Sequence, residues 1–164
     1  MEIILQVLKL RGGSKILVAA PSDTAVDVLV LRLSNVLGVQ EMLRWMTPGI
    51  NKGNESLPVH ASVVPYCNSA PEDAGSGYVI PSVEQFAQYS VVVCTFMEAS
   101  KLINYGVGGC IQSKVKPTVV SADTASTSST LFDVVMLDDC EQVWEGELLA
   151  CFSCGLLTTL PHPS

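Results

Sequence analysis

The chain has 164 residues, 48% hydrophobic and 15% charged, which excludes a disordered polypeptide and fits one domain with a real core or a piece of a larger one. No uninterrupted apolar run approaches the length of a membrane span, and an acid at Glu2 without a basic n-region argues against a secretory signal. The formal charge of -7 argues against a generic nucleic-acid surface, and the stretch from Pro117 to Ser164 carries seven acidic residues with no Lys or Arg.

Met1 to Arg11 predicts an amphipathic helix with Ile4, Val7 and Leu8 on one face, closed by Gly12-Gly13. No Ser, Thr, Asp or Asn precedes its apolar run, so the helix starts uncapped, as in a chain entered partway through an element. Lys15 to Ala20 predicts a buried strand, broken by Pro21-Ser22. Asp23 or Thr24 then caps a helix on which Val26, Leu29, Val30, Leu33 and Leu37 keep helical spacing as far as Gly38. Strand, tight turn and capped helix make half of a βαβ unit, and the turn offers free amides and a positive helix end to a phosphate. It is not a Walker loop, because no GxxxxGK[ST] occurs in the chain.

Glu41 to Met46 predicts a short strand. Residues 47–80 read as an irregular excursion rich in Pro, Gly, Asn and Ser, with one strand near Ala61 to Val64. Pro81 to Gln88 predicts a short helix with Pro in its first turn. Ser90 to Thr95 is a further buried strand, followed by a helix from Phe96 to Tyr105 closed by Gly106. Residues 113–130, dominated by Ser, Thr, Ala and Val, read as a flexible surface insertion. Glu145 to Leu157 closes the chain as an apolar helix with Trp144 near its start.

The most informative stretch runs from Leu131 to Gln142. Val134 to Leu137 are apolar without alternation, the pattern of a strand covered on both faces in a parallel sheet. Asp138 and Asp139 follow at its carboxyl end, where open α/β sheets place their ligands. Adjacent carboxylates repel, so one is protonated, both are solvated, or a hard cation such as Mg²⁺ shared with a phosphate holds them ionised. The six cysteines (67, 94, 110, 140, 151 and 154) read as reduced, buried, intracellular thiols, and the lone Cys151-x-x-Cys154 as core packing rather than metal or redox chemistry. His60 and His162 lie in Pro-flanked loops and read as surface histidines.

Three segments together resemble the first RecA-like domain of superfamily one helicases, in the up-frameshift and Armitage/MOV-ten branch of RNA helicases. Lys15-Ile-Leu-Val-Ala-Ala-Pro-Ser-Asp-Thr-Ala-Val-Asp27 resembles motif Ia, an aliphatic strand followed by A-P-S-N-x-A-x-D. Val91-Val-Val-Cys-Thr-Phe-Met-Glu-Ala-Ser100 resembles motif Ic. Phe132-Asp-Val-Val-Met-Leu-Asp-Asp-Cys-Glu-Gln142 resembles motif II, whose strand ends in D-E-A-x-Q. The order and spacing agree, and the resemblance covers most of the chain except 47–78 and 113–130.

The resemblance implies a partial RecA-like, three-layer α/β fold with a mostly parallel sheet over 1–164. It implies that Pro21, Ser22, Thr24 and Thr95 touch RNA phosphate or ribose, that Asp138 helps to hold Mg²⁺, that Asp139 polarises the attacking water and that Gln142 sits beside the nucleotide. ATP and Mg²⁺ are the cofactors of the intact family, and this chain alone is expected not to bind them. The implied partners are RNA, held weakly or not at all by this chain alone, and other ribonucleoprotein or RNA-silencing and decay proteins, with no membrane. The implied location is cytoplasmic, including RNA granules. The family's Walker strand lies inside the sheet beside the motif II strand, so a chain without it is expected to present an unpaired, aggregation-prone edge.

The departures all oppose the chemistry. Asp139 stands where Glu is usual, Glu141 where a small neutral residue is usual, and Asp23 where motif Ia has Asn, putting a carboxylate against phosphate. The expectation is therefore a fragment or truncated, divergent form of an ATP-dependent RNA helicase, inactive alone. Two other readings stand beside it: a non-catalytic helicase-derived module that binds RNA or protein, and an unrelated metal-dependent α/β hydrolase using Asp138 and Asp139.

Overall fold

The structure, a computed structural model, describes residues 1–47, 59–68, 78–102, 131–152 and 154. The 113–130 insertion, the expected ends of two helices at Tyr105 and Leu157, Cys110, His162 and the side chain of Gln142 lie outside the described residues.

Strand β1 (Ile16–Ala20) is the centre of the sheet, and all five of its residues are buried. It pairs in parallel with β3 (Val91–Thr95) on one side and with β4 (Val134–Leu137) on the other, while β2 (Met42–Arg44) pairs with β3. The order is therefore β2-β3-β1-β4, all parallel. An aliphatic run without alternation suits this position, because a central strand of such a sheet has no wet face.

Each face of the sheet carries its own core. Ile16, Val18 and Ala20 of β1 join Val26, Leu29, Val30 and Leu33 of α2 (Asp23–Leu33) and Ile4 of α1 (Glu2–Leu10). Leu17 and Ala19 point the other way, joining Phe86 of α3 (Val83–Phe86), Phe96, Ala99 and Leu102 of α4 (Phe96–Leu102) and Cys151 of α5 (Glu145–Phe152). Trp45, fully buried just after β2, meets Phe86 edge to face with ring centroids 5.3 Å apart. The expected three-layer α/β fold is thus present, consistent with a partial RecA-like domain.

Local chemistry explains the element ends. α1 has no side-chain cap, and Gly13 after it takes φ 90°, a backbone that glycine adopts freely. Ser22, not Asp23 or Thr24, caps α2, its Oγ accepting from Ala25 N at 3.2 Å. That helix ends at Leu33, short of Leu37, although Leu37 remains buried. Ser82 and Gln85 form a capping box on α3, so Pro81 precedes the cap instead of occupying the first turn. The strand expected near Ala61 to Val64 is instead a turn leading into a 3₁₀ helix at Val64–Tyr66.

β4 corrects a second expectation. Val134 and Met136 pack toward one core and Val135 and Leu137 toward the other, yet all four residues are only half-buried. Among the described residues β4 is the end strand, paired only with β1. The apolar pattern reported which faces the strand uses; it could not report how much of its flank is covered.

Candidate functional site at the carboxyl edge of the sheet

Parallel strands bring all their carboxyl ends to one edge, and the register aligns them closely. Ala20 pairs with Thr95 and Ala19 with Leu137, so the start of α4, the turn after β1 and Asp138 follow one another along that edge. The ladder continues one step further where Asp138 N donates to Ala19 O at 2.9 Å. Ser22 and Thr24 are exposed and Pro21 is half-buried, all in or just after the β1–α2 turn.

One amide of that turn, Ala25 N, is taken up by the helix cap. Ser22 Oγ takes Ala25 N and Ser22 O takes Val26 N, as in an ordinary helix start. Thr95 is likewise engaged. Its Oγ1 accepts from Glu98 N at 3.2 Å and donates to Glu98 Oε2 at 3.1 Å, while Thr95 N donates to the same carboxylate at 3.0 Å. This is a capping box on α4, with Thr95 as cap.

Beneath these turns lies an ionic cluster that sequence reasoning did not anticipate. Arg44, the last residue of β2, is 0% exposed, and each guanidinium nitrogen has a partner. Nη2 donates to Asp23 Oδ1 at 2.5 Å, Nε to Asp27 Oδ1 at 3.3 Å, and Nη1 to both Glu98 Oε2 at 3.0 Å and Trp45 O at 2.6 Å. Glu98, itself buried, also accepts from Thr47 N at 3.2 Å. Burial opposes the charge on Arg44, but Glu98 and Asp23 more than offset it and hold the guanidinium pKa above its ordinary value. Asp23, expected to oppose a bound phosphate, therefore has a buried cation as its partner.

The signals for this cluster were in the sequence but did not stand out. Thr95-x-x-Glu98 has capping-box spacing, Asp23 and Asp27 share a helix face at i, i+4, and Arg44 interrupts an apolar strand. Only the fold shows that they meet.

The acids at the other end of the edge meet no buried cation among the described residues. Asp138, Asp139 and Glu141 are exposed. Asp139 takes φ 50° and ψ 42°, a left-handed backbone that Asp tolerates better than most residues, and turns the chain from β4 into a 3₁₀ turn at Cys140–Gln142. An open depression of about 670 Å³ begins at Glu141 and is lined also by Val143, Trp144, Glu145 and Gly146. Among the described residues no group of three or more His, Cys, Asp or Glu side chains is arranged to hold a metal. Mg²⁺ commonly takes one or two carboxylates and completes its shell with water and phosphate. The described residues thus supply no complete cage, and Asp138 and Asp139 are two exposed carboxylates of the kind such a shared ion accepts.

The cysteines divide. Cys94, Cys151 and Cys154 are buried, as expected, and Cys154 Sγ donates to Ala99 O at 3.4 Å. Burial pushes the Cys154 thiol up to about 11, and burial with the neighbouring Cys154 and Glu147 pushes Cys151 up to about 12. Cys140, expected to be buried, is exposed, and Cys67 is intermediate. His60 is exposed, as expected.

A four-stranded parallel sheet with helices on both faces, and with helix-starting turns and a pair of acids along its carboxyl edge, is an α/β arrangement consistent with a partial RecA-like domain. Over 160 residues, 98% of the chain, the sequence is 28% identical to "Putative helicase MOV-10" of Gallus gallus, spanning 14% of that protein. Over 106 residues, 65% of the chain, it is 31% identical to "Putative helicase mov-10-B.1" of Danio rerio, spanning 10% of it. The chain is therefore helicase-related. No protein-family model matches it, and no solved structure matches it.

Proposed function

We propose that the chain is a divergent part of an ATP-dependent RNA helicase of the MOV-10 kind, contributing RNA-facing turns and the acids of a nucleotide site, and inactive in hydrolysis by itself. The observation that carries this reading is the register: Pro21-Ser22, Thr95 and Asp138-Asp139 close three neighbouring strands at one edge. Ser22 and Thr24, both exposed, are the direct RNA-backbone contacts, and Thr95 acts by fixing the start of α4.

Asp138 would hold Mg²⁺ and Asp139 would orient water, with Gln142 beside the nucleotide. When bound, the metal would neutralise charge on the transferring phosphate. Phosphoryl transfer is mostly positioning and charge stabilisation, and this chain holds no GxxxxGK[ST] loop to grip the phosphates. Asp139 is one methylene shorter than the Glu of the family pattern, and a displacement near 1 Å costs roughly 100-fold in rate. The cytoplasm, with RNA-silencing or decay proteins as neighbours, is the setting this reading implies.

The test is photo-crosslinking of a 4-thiouridine oligonucleotide to the purified chain, with peptides mapped by mass spectrometry. Cross-links concentrated in residues 20–25 and 94–98, with a dissociation constant on the order of 10⁻⁴ M, support the reading. Cross-links confined to the amino edge of the sheet, or phosphate release from ATP by the chain alone, overturn it. The run from Leu131 to Cys154, acidic and without a single Lys or Arg, favours one alternative, a non-catalytic module that binds a basic protein segment. Competition by a polyarginine peptide but not by RNA would establish that alternative.

A further inference from the structure

Arg44 belongs to none of the segments that resemble helicase motifs, yet it touches both turns that meet the carboxyl edge. Asp23 and Asp27 stand in the first two turns of α2, directly after Ser22. Glu98 stands in the first turn of α4 and is the capping partner of Thr95. A planar guanidinium offers its donors in a fixed fork, so one buried side chain sets the angle and spacing between two helix starts carried by adjacent strands. The fork is anchored to its own strand through Trp45 O, and Glu98 also draws in Thr47 N from the chain leaving β2.

A buried ion cluster is a poor way to gain stability, since well-packed apolar side chains in the same volume commonly do as well or better. What it adds is direction. An apolar contact allows the two turns to slide, whereas four directed bonds from one group do not. We infer that Arg44 is a positioning residue that holds the β1–α2 turn and the β3–α4 turn in the mutual placement needed to meet one nucleic-acid backbone. This rests on the RNA-facing reading above.

Arg44→Lys tests it, because an ammonium keeps the charge and loses the fork. Amide exchange of residues 21–25 and 94–98 is followed by mass spectrometry, and binding of fluorescein-labelled oligouridylate by anisotropy, both at a temperature where urea titration shows wild type and variant fully folded. The expected result is about tenfold faster exchange in both turns together and about tenfold weaker binding, with exchange in β1 unchanged. Glu98→Gln, which keeps a hydrogen-bonding side chain, is the second variant if Arg44→Lys does not fold. It is expected to loosen 94–98 and to leave 21–25 as in wild type. Uniform acceleration across the sheet would mark Arg44 as merely structural, and unchanged exchange in both turns would also overturn the proposal. If the wild-type chain binds no oligouridylate, the RNA reading fails, while the two exchange patterns still decide whether Arg44 ties the turns.

Discussion

At the β2 and β3 end of the sheet a fully buried Arg44 is met by three carboxylates, whereas at the β4 end Asp138, Asp139 and Glu141 stand exposed without a cation among their described neighbours. The first region gives its carboxylates one shared internal cation, a single positive charge against three negative, and reads as scaffold for two turns. The second has exposed negative charge that meets no ion-pair partner among the described residues. The contrast teaches that acid residues at a sheet's carboxyl edge are not equivalent: a buried cation within reach ties a carboxylate to the fold, even one as exposed as Asp23.

The sharpest way to break the contrast is to remove the buried cation. Arg44→Met leaves Asp23, Asp27 and Glu98 without their partner, and a loss of about 3–5 kcal/mol is expected in urea unfolding. A loss below about 1 kcal/mol would show that the three acids rehydrate easily and that the region is not scaffold.

Alkaline pH probes the buried side next. The Cys67, Cys151 and Cys154 thiols are raised from the ordinary 9.0 to about 11, 12 and 11 in the folded chain. Between these values the unfolded chain has lost protons that the folded chain retains, so stability must fall as pH rises from about 9 towards 11–12. Melting temperatures across that window check the sign. Iodoacetamide should label the exposed Cys140 in the native chain and reach Cys94, Cys151 and Cys154 only on unfolding.

On the exposed side, backbone shape matters more than charge. Asp139→Val forces a β-branched residue into the left-handed region and should cost about 1–2 kcal/mol, read from the same urea titration. Asp138→Asn should change stability by less than about 0.5 kcal/mol, because its side chain is solvated. A large loss from Asp138→Asn would mean that this acid, too, belongs to the fold.

The sequence was readable wherever one segment carried its own signal. The unbroken apolar runs at Ile16–Ala20 and Val91–Thr95 announce central strands, and Ile4, Val26, Leu29, Val30 and Leu33 mark helix faces that do face a core. Ser22 is the cap, a choice the local sequence leaves open because Asp23 and Thr24 beside it are equally good capping types. Val134–Leu137 announced its two packing faces but not its flank, since a strand's own pattern is silent about who pairs beside it.

What the amino-acid order determined by itself is therefore the parallel α/β class, the position of the strand ends and the acids placed there, all set by hydrophobic period and turn chemistry over a few residues. Tertiary structure alone decided which charges would be consumed. Asp23, Asp27, Arg44 and Glu98 are spread over 76 positions of chain, and no local pattern pairs them. Only packing α2 and α4 against opposite faces of one sheet brings their side chains together, and there the cost of desolvation leaves the buried Arg44 and Glu98 no stable charged state except as partners.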